Sequence, residues 1–384
     1  MAARNPLHDV AIVAVHNTHQ AKRLDENEDA LLMGAFRTVM AEVGLKPKDI
    51  DGISAHGWVT GLSGLDVIAW LGGHPCWNGT HWPGIASVME AAGAIATGQC
   101  HTVLMGAAQA GAHRGRAQTA PWTRPDYEFT ACWGMYTAAQ FALIARRHMA
   151  LYGTPVEAFA EVAAAIRSNG ALNPAAIMYG MKVTREDVLA SRMIAEPFHL
   201  LDCALTSEGG AALIMTTRER AADMTDKPIY ILGGALERMG QAYVEPVVWD
   251  RFGNMGARAA ATCFREAGLT HKDVDVCEFY DPFSFEIIRQ LEAYGFCKPG
   301  EGAGFVLDGN IRINGSLPVA TNGGLMSFSH AGAVQNLQKV ITGAMQLRGQ
   351  LPAALTVKDA EVVMLSNNGS AAVTCDVMIL GKAA

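Results

Sequence analysis

The chain has 384 residues, half of them hydrophobic and only 17% charged, with 40 glycines and a net charge of −7. Such a length suggests two or three domain-sized units around a large core. The acidic balance gives no electrostatic case for nucleic acid or an anionic membrane surface.

Residues 10–15 (VAIVAV) form a short apolar, β-branched run that reads as a buried strand. Residues 25–43 have helical spacing and stop at Gly44, a C-cap residue, before a Lys-Asp step and the strand-like residues 50–53. The same order returns at residues 260–281. Ala41-Glu42-Val43-Gly44-Leu45 matches Arg265-Glu266-Ala267-Gly268-Leu269, and Lys48-Asp49-Ile50-Asp51 matches Lys272-Asp273-Val274-Asp275, at an offset of 224 residues (268 − 44). A small-residue helix over 84–97 followed by a strand over 101–105 is answered by a helix over 332–345 and a strand over 362–365. A duplicated α/β unit follows, with helices packed on mixed sheets. The first half spans 1–222 and includes an excursion over about 111–200; the second spans 223–384. The excursion begins with turn formers and aromatics (Trp122, Tyr127, Phe129, Trp133, Tyr136) suited to shaping a pocket, then regains helical spacing over 138–169.

The eight cysteines are scattered without a CxxC pair and read as reduced, buried thiols, with no cysteine-histidine cluster of zinc-ligand spacing. The amino-terminal residues lack a secretory apolar region, and no apolar run approaches the ~20 residues of a membrane-spanning helix. The last residues are not a peroxisomal signal. The expectation is a cytoplasmic protein without membrane insertion.

The stretch with most chemical promise is 321–334, TNGGLMSFSHAGAV. Its Asn322-Gly323-Gly324 opening lets a substrate come close, and His330 arrives just before a helix, where backbone N–H groups and the dipole favour negative charge.

Four segments, 145–174, 191–214, 277–306 and 321–333, resemble in order the sterol-carrier/lipid-transfer branch of the thiolase superfamily, which acts on acyl-CoA thioesters. The resemblance implies a five-layered αβαβα sandwich of two similar halves. It also implies a nucleophilic cysteine at the start of the first central helix, where His81 stands, and a second cysteine near Leu365-Ser366-Asn367-Asn368-Gly369, where a serine stands. With both missing, the chain is similar to members of the branch that cleave β-hydroxyacyl-CoA thioesters of steroid or bile-acid side chains by a retro-aldol reaction. That chemistry needs acid–base groups and oxyanion donors but no covalent intermediate. His330 is the candidate base on the β-hydroxyl, or a neutral N–H donor to the thioester oxygen. Tyr280 and Tyr243 are the other catalytic candidates, as proton donor or base. His81, Asp281, Asn322, Gly324 and Asn368 are the expected substrate-binding residues, with Asp281 orienting its neighbours. Coenzyme A enters as part of the substrate, and no cofactor or metal is expected on the chain. A homodimer and a small partner combining a zinc ribbon with an OB-fold complete the expectations. The competing readings are a thiolase with a displaced cysteine, Cys76 or Cys132, and a non-catalytic acyl-CoA carrier.

Overall fold

The computed structural model describes residues 5–72, 77–112, 137–240, 253–332, 334–369 and 373–384. In the first half it places β1 (Val10–Asn17), α1 (Glu28–Glu42), β2 (Gly52–Gly57), α2 (Gly64–Leu71), β3 (Trp77–Asn78), α3 (Ile85–Ala96) and β4 (Thr102–Gln109). The excursion supplies α4 (Thr137–Tyr152), α5 (Val156–Leu172), α6 (Arg185–Ala190) and a small hairpin, β5 (Met193–Ala195) with β6 (Phe198–His199). There follow β7 (Gly209–Thr217), α7 (Arg218–Met224), β8 (Ile229–Arg238), α8 (Ala257–Ala267), β9 (Val276–Glu278), α9 (Ser284–Ala293) and α10 (Gly302–Leu307). The chain ends with α11 (Gln335–Arg348), β10 (Val362–Gly369) and β11 (Thr374–Gly381).

The repeat extends to individual hydrogen bonds. Helix α1 closes with Leu45 N–H on the Met40 carbonyl (2.9 Å), and α8 closes with Leu269 N–H on the Phe264 carbonyl (3.2 Å). Both closures need a left-handed residue, supplied by Gly44 and Gly268, each at φ +68°. After each turn an aspartate accepts from the backbone three residues back, Asp49 from Lys46 (2.8 Å) and Asp273 from Thr270 (2.7 Å). Strands β2 and β9 then begin.

Among the described residues the strands run in the order β3-β2-β4-β7-β1-β8-β11-β10-β9. The resemblance implies two separate sheets. Here they join into one, because β1 pairs with both β7 and β8, the latter at Ala11–Tyr230 and Ile12–Ile229. The layers survive the join, since three apolar clusters lie between them. Leu32, Phe36 and Val39 of α1 cover one outer face against Leu104 and Ile214. Val88 and Ile95 of α3, with Leu337 and Ile341 of α11, fill the centre against Val103, Leu213, Val363 and Leu380. Phe264, Phe285 and Ile288 cover the other outer face against Met364, Val377 and Ile379. The result is the αβαβα order. Phe141 of α4 and Phe159 of α5 belong to this last cluster, so the excursion packs on the second half.

Helix α11 starts at Gln335, three residues later than the repeat implies, and is buried nearly all round, including Gln338, Lys339, Thr342 and Gln346. It meets α3 closely: a Cβ added to Gly84 would lie 2.7 Å from Asn336 Cβ and 2.9 Å from Asn367 Oδ1. The starts of the two central helices therefore converge. No described helix is long and apolar enough to cross a membrane.

Candidate active site

The loop that ends at His330 is built on buried charge. Glu278, at the end of β9, accepts from the backbone N–H (2.9 Å) and hydroxyl of Thr321. Asn322 Oδ1 accepts from Gly324 N–H (2.8 Å), while its Nδ2 donates to Thr342 Oγ1 (2.8 Å). Gly323 and Gly324 turn the chain in left-handed conformations, φ +103° and +54°. A Cβ at Gly324 would come within 2.3 Å of Asp281 Oδ2. The room is needed because the Asp281 carboxylate accepts from Leu325 N–H (2.9 Å) and Met326 N–H (3.2 Å) and pairs with Lys339 Nζ at 2.6 Å. All three ionisable groups are buried. Burial raises both carboxyls above their usual range, opposed by the Lys339 ammonium.

Beyond this clamp, a chain of hydroxyls and amides positions His330. Its backbone N–H donates to Ser207 Oγ (2.7 Å), Ser207 and Ser329 hydroxyls are 3.0 Å apart, and Ser329 donates to Gln20 Oε1 (2.8 Å). Gln338 Nε2 donates to the same oxygen (2.9 Å). His330 Nδ1 lies 2.8 Å from the Leu205 carbonyl. A carbonyl only accepts, so Nδ1 carries the hydrogen and Nε2 is the basic nitrogen of the neutral ring.

Tyr280 belongs to the same structure. Its ring is 7% exposed and packs with Ala204 and Leu325. Leu205 N–H donates to the Leu325 carbonyl (3.0 Å), so the 204–207 segment touches Tyr280 at one end and His330 at the other. Tyr280 N–H donates to Ser366 Oγ (3.0 Å), and Ser366 in turn donates to Gln290 Oε1. The serine in the place of a thiolase acid/base cysteine is thus a fully buried strut.

The start of α3 is closed as well. Ile85 N–H donates to Asn367 Oδ1 (2.7 Å), Gly84 N–H donates to Ser87 Oγ (2.8 Å), and Asn367 Nδ2 reaches the Asn336 carbonyl (3.1 Å). His81 lies four residues before the helix, with its N–H and Nδ1 each 3.1 Å from Glu90 Oε2. It is near enough to Asp376, the partner of Arg238, to help lower that carboxyl's pKa against burial, which is the larger effect and raises it.

Of the expected site residues, His330, Tyr280, Asp281, Asn322 and Gly324 come together here. Asp281 and Asn322 hold the loop through its backbone, and Gly324 makes room for Asp281. His81 faces Glu90 and the β8–β11 ladder. Tyr243, Cys76, Cys132, the excursion aromatics and the Asn368 side chain lie outside the described residues. Sequence reasoning missed Ser207, Gln20, Lys339 and Asn367. It also missed Gln109, at the end of β4, whose Nε2 donates to the Ser207 carbonyl (3.3 Å). The carboxyl ends of strands β4 and β10 are the signal for Gln109 and Asn367; for Gln20 and Lys339 there is none in the sequence.

Known proteins resemble this chain in sequence and fold. The family described as Thiolase C-terminal domain-like matches residues 251–382. The chain is 33% identical to the 17-hydroxy-3-oxo-4-pregnene-20-carboxyl-CoA lyase of Mycobacterium tuberculosis over 357 residues, 88% of this chain and 91% of that one. This chain belongs to the thiolase superfamily, in its sterol-carrier/lipid-transfer branch. It is also 29% identical to the steroid side-chain-cleaving aldolase of Thermomonospora curvata over 360 residues, 86% of this chain and 89% of the relative. Among solved structures, the Ltp2-ChsH2(DUF35) aldolase superposes with a TM-score of 0.85 at 29% identity, covering 97% of this chain and 98% of that one. Human mitochondrial 3-ketoacyl-CoA thiolase shares the fold, with a TM-score of 0.69 at 14% identity, over 98% of this chain and 100% of that one.

Proposed function

We propose that this member of the superfamily is an acyl-CoA carbon–carbon lyase that cleaves a β-hydroxyacyl-CoA by a retro-aldol reaction. The observation that carries the reading is that Ser366, in the place of the acid/base cysteine, is a buried strut, while the Leu205 carbonyl holds His330 through Nδ1 and leaves Nε2 basic. His330 Nε2 takes the β-hydroxyl proton, the Cα–Cβ bond breaks, and the released electron pair forms an enolate on the thioester. Tyr280 supplies the complementary proton to Cα. The products are an aldehyde or ketone and a shortened acyl-CoA. No thiolate is called for, in keeping with Cys375, whose thiol burial pushes up to about 12, and with Cys277, held well above the usual range.

The relatives favour a steroid or bile-acid side chain as the acyl group. In the compound named for the M. tuberculosis lyase, the 17-hydroxyl is β to the thioester carbonyl, so retro-aldol cleavage yields a 17-ketone and a three-carbon acyl-CoA. Tyr243, Asn368 and His81 remain part of the proposal as further donors around the thioester. Coenzyme A takes part as substrate, with no bound cofactor required. The neighbour's assembly with a DUF35 chain supports a small zinc-ribbon/OB-fold partner here. Exposed Leu65 and Trp70 on α2, beside the edge strand β3, support a homodimer across that edge. A cytoplasmic location fits these parts.

The test is turnover of a β-hydroxyacyl-CoA panel by the full chain, with and without a DUF35-type small chain, read by mass spectrometry. His330→Ala and Tyr280→Phe are each expected to lower kcat at least ~100-fold. Activity near that of the unmodified chain in both variants removes these residues from the mechanism.

A further inference from the structure

The carbonyl that orients His330 sits in a stretch without regular structure. Between Asp202, which ends a single helical turn, and Gly209, where β7 begins, the chain belongs to no helix or strand. The place of the Leu205 carbonyl is therefore set by tertiary bonds. Arg167, on α5 and only 2% exposed, makes two of them: Nε donates to the Leu201 carbonyl (2.9 Å) and Nη2 to the Cys203 carbonyl (3.0 Å). Cys203 is two residues from Leu205, at most ~7 Å from Cα to Cα. A planar guanidinium holds two acceptors in a fixed relation, which a flexible ammonium does not.

The same end of α5 grips the other side of the base. Asn169 Nδ2 donates to the Val319 and Ala320 carbonyls (3.3 and 3.2 Å), and Asn173 Nδ2 donates to the Asn322 carbonyl (2.8 Å). Gly170 lies against the loop, where a Cβ would come within 2.3 Å of Ser327 Cβ. One helix thus holds both the chain that delivers His330 and the segment that turns its ring.

We propose that Arg167 is a positioning residue for the base. Through the Leu201 and Cys203 carbonyls it sets the Leu205 carbonyl, which keeps the hydrogen on His330 Nδ1 and leaves Nε2 able to take a proton. The inference rests on the retro-aldol reading and gives the excursion a part in the chemistry beyond shaping a pocket.

The experiment labels the histidine ring nitrogens of the full chain with 15N and reads the His330 tautomer by NMR at mildly alkaline pH, with His330→Gln identifying the signal. The unmodified chain is expected to carry the hydrogen on Nδ1. Arg167→Met should move it toward Nε2 and lower kcat at least ~10-fold, with KM within about three-fold, since a reacting group misplaced by ~1 Å can cost ~100-fold. Arg167→Lys should fall between the two in both readouts. Arg348 is the control, a buried arginine at the far end of α11 that donates to the Lys227 (3.0 Å) and Ile12 (3.3 Å) carbonyls. Arg348→Met should lower the thermal midpoint and leave the tautomer alone. An unchanged tautomer in folded Arg167→Met, or an equal change in Arg348→Met, overturns the proposal. So does hydrogen on Nε2 in the unmodified chain, a result that needs no variant to fold. If the unmodified chain cleaves no β-hydroxyacyl-CoA while the tautomer moves as expected, the functional reading fails and the hold of Arg167 on the ring stands.

Discussion

Replacing Lys339 by methionine keeps an unbranched side chain one atom shorter and deletes the cation that faces Asp281. The pair is fully enclosed, with Nζ 2.6 Å from Oδ1. Removing one partner of a buried ion pair costs about 3–5 kcal/mol. Two features hold the effect to the lower part of that range. Asp281 keeps its bonds from Leu325 and Met326 N–H, and the stranded carboxylate can take a proton, which from an ordinary pKa near 4 costs roughly 4 kcal/mol at pH 7. A loss of about 3–4 kcal/mol is therefore expected, lowering the thermal midpoint of so long a chain by roughly 4–5 °C.

The sign with pH is fixed too. Burial already holds the Asp281 carboxyl above its usual range against the opposing Lys339. Without the lysine it rises further, so the folded variant binds a proton that the unfolded chain lacks. Its stability recovers as pH falls toward the ordinary carboxylate range, and more steeply than in the unmodified chain. Urea midpoints of Lys339→Met, Asp281→Asn and the double variant across acidic to neutral pH measure this. The double variant should be less destabilised than the two losses added together. A Lys339→Met midpoint within ~0.5 kcal/mol of the unmodified chain, or one without the steeper pH slope, would refute the account.

Three further outcomes are expected. Glu278 is buried with its carboxyl raised chiefly by burial, and Oε2 has no hydrogen-bond partner among the described residues. Its stabilising contribution is present below the usual carboxylate pKa and is lost as pH rises through the folded value, so Glu278→Gln should flatten that decline; an unchanged slope counts against it. Gly324→Ala should cost more than the ~1–2 kcal/mol of a left-handed alanine alone, because of the Asp281 clash. Gly98→Ala, at φ +75° with nothing within 4 Å, is the control in paired melts. Ser366→Cys should not restore thiolysis, since this buried position is tied to Gln290 and Tyr280; coenzyme A-dependent cleavage of a 3-ketoacyl-CoA by that variant would contradict this.

The fold was legible because its signals are local. Gly44 and Gly268 are required by the same left-handed closure, and Asp49 and Asp273 by the same capping bond, so one offset revealed two halves. The union of the sheets was not legible, since the β1–β8 contact joins residues 219 (230 − 11) and 217 (229 − 12) positions apart with nothing in either strand to mark it. In the site, His330 stood out by its glycine-rich loop. The orientation of its ring depends on the Leu205 carbonyl, 125 residues distant, and a backbone group has no sequence signature. Lys339 was hidden for a related reason: on α11 it reads as a solvated position, yet this helix is central and its polar face is buried against Asp281. Asn322 was expected as a donor to substrate and Asp281 as an orienting group, and both bind the loop's backbone. A sequence pattern locates such residues without separating contact from support.

The two central helices support the proposed site on the His330 side. A thiolase nucleophile needs open N–H donors at the start of the first helix, where the dipole lowers a thiol pKa. Here Asn367 takes Ile85 N–H and Ser87 takes Gly84 N–H. Gly84 is also too close to Asn336 and Asn367 to accept a side chain without movement. A cysteine placed back near His81 would thus meet a closed helix start, and adding it alone should produce no acyl-enzyme. The approach to α11 is arranged in the opposite sense. Ser207 and Leu205 hold His330 from a neighbouring segment, and Lys339 with Asp281 fixes the loop behind it. Acid–base cleavage needs an oriented base more than an electrophilic helix end, and the proposed base, His330, is oriented through Nδ1 by the Leu205 carbonyl.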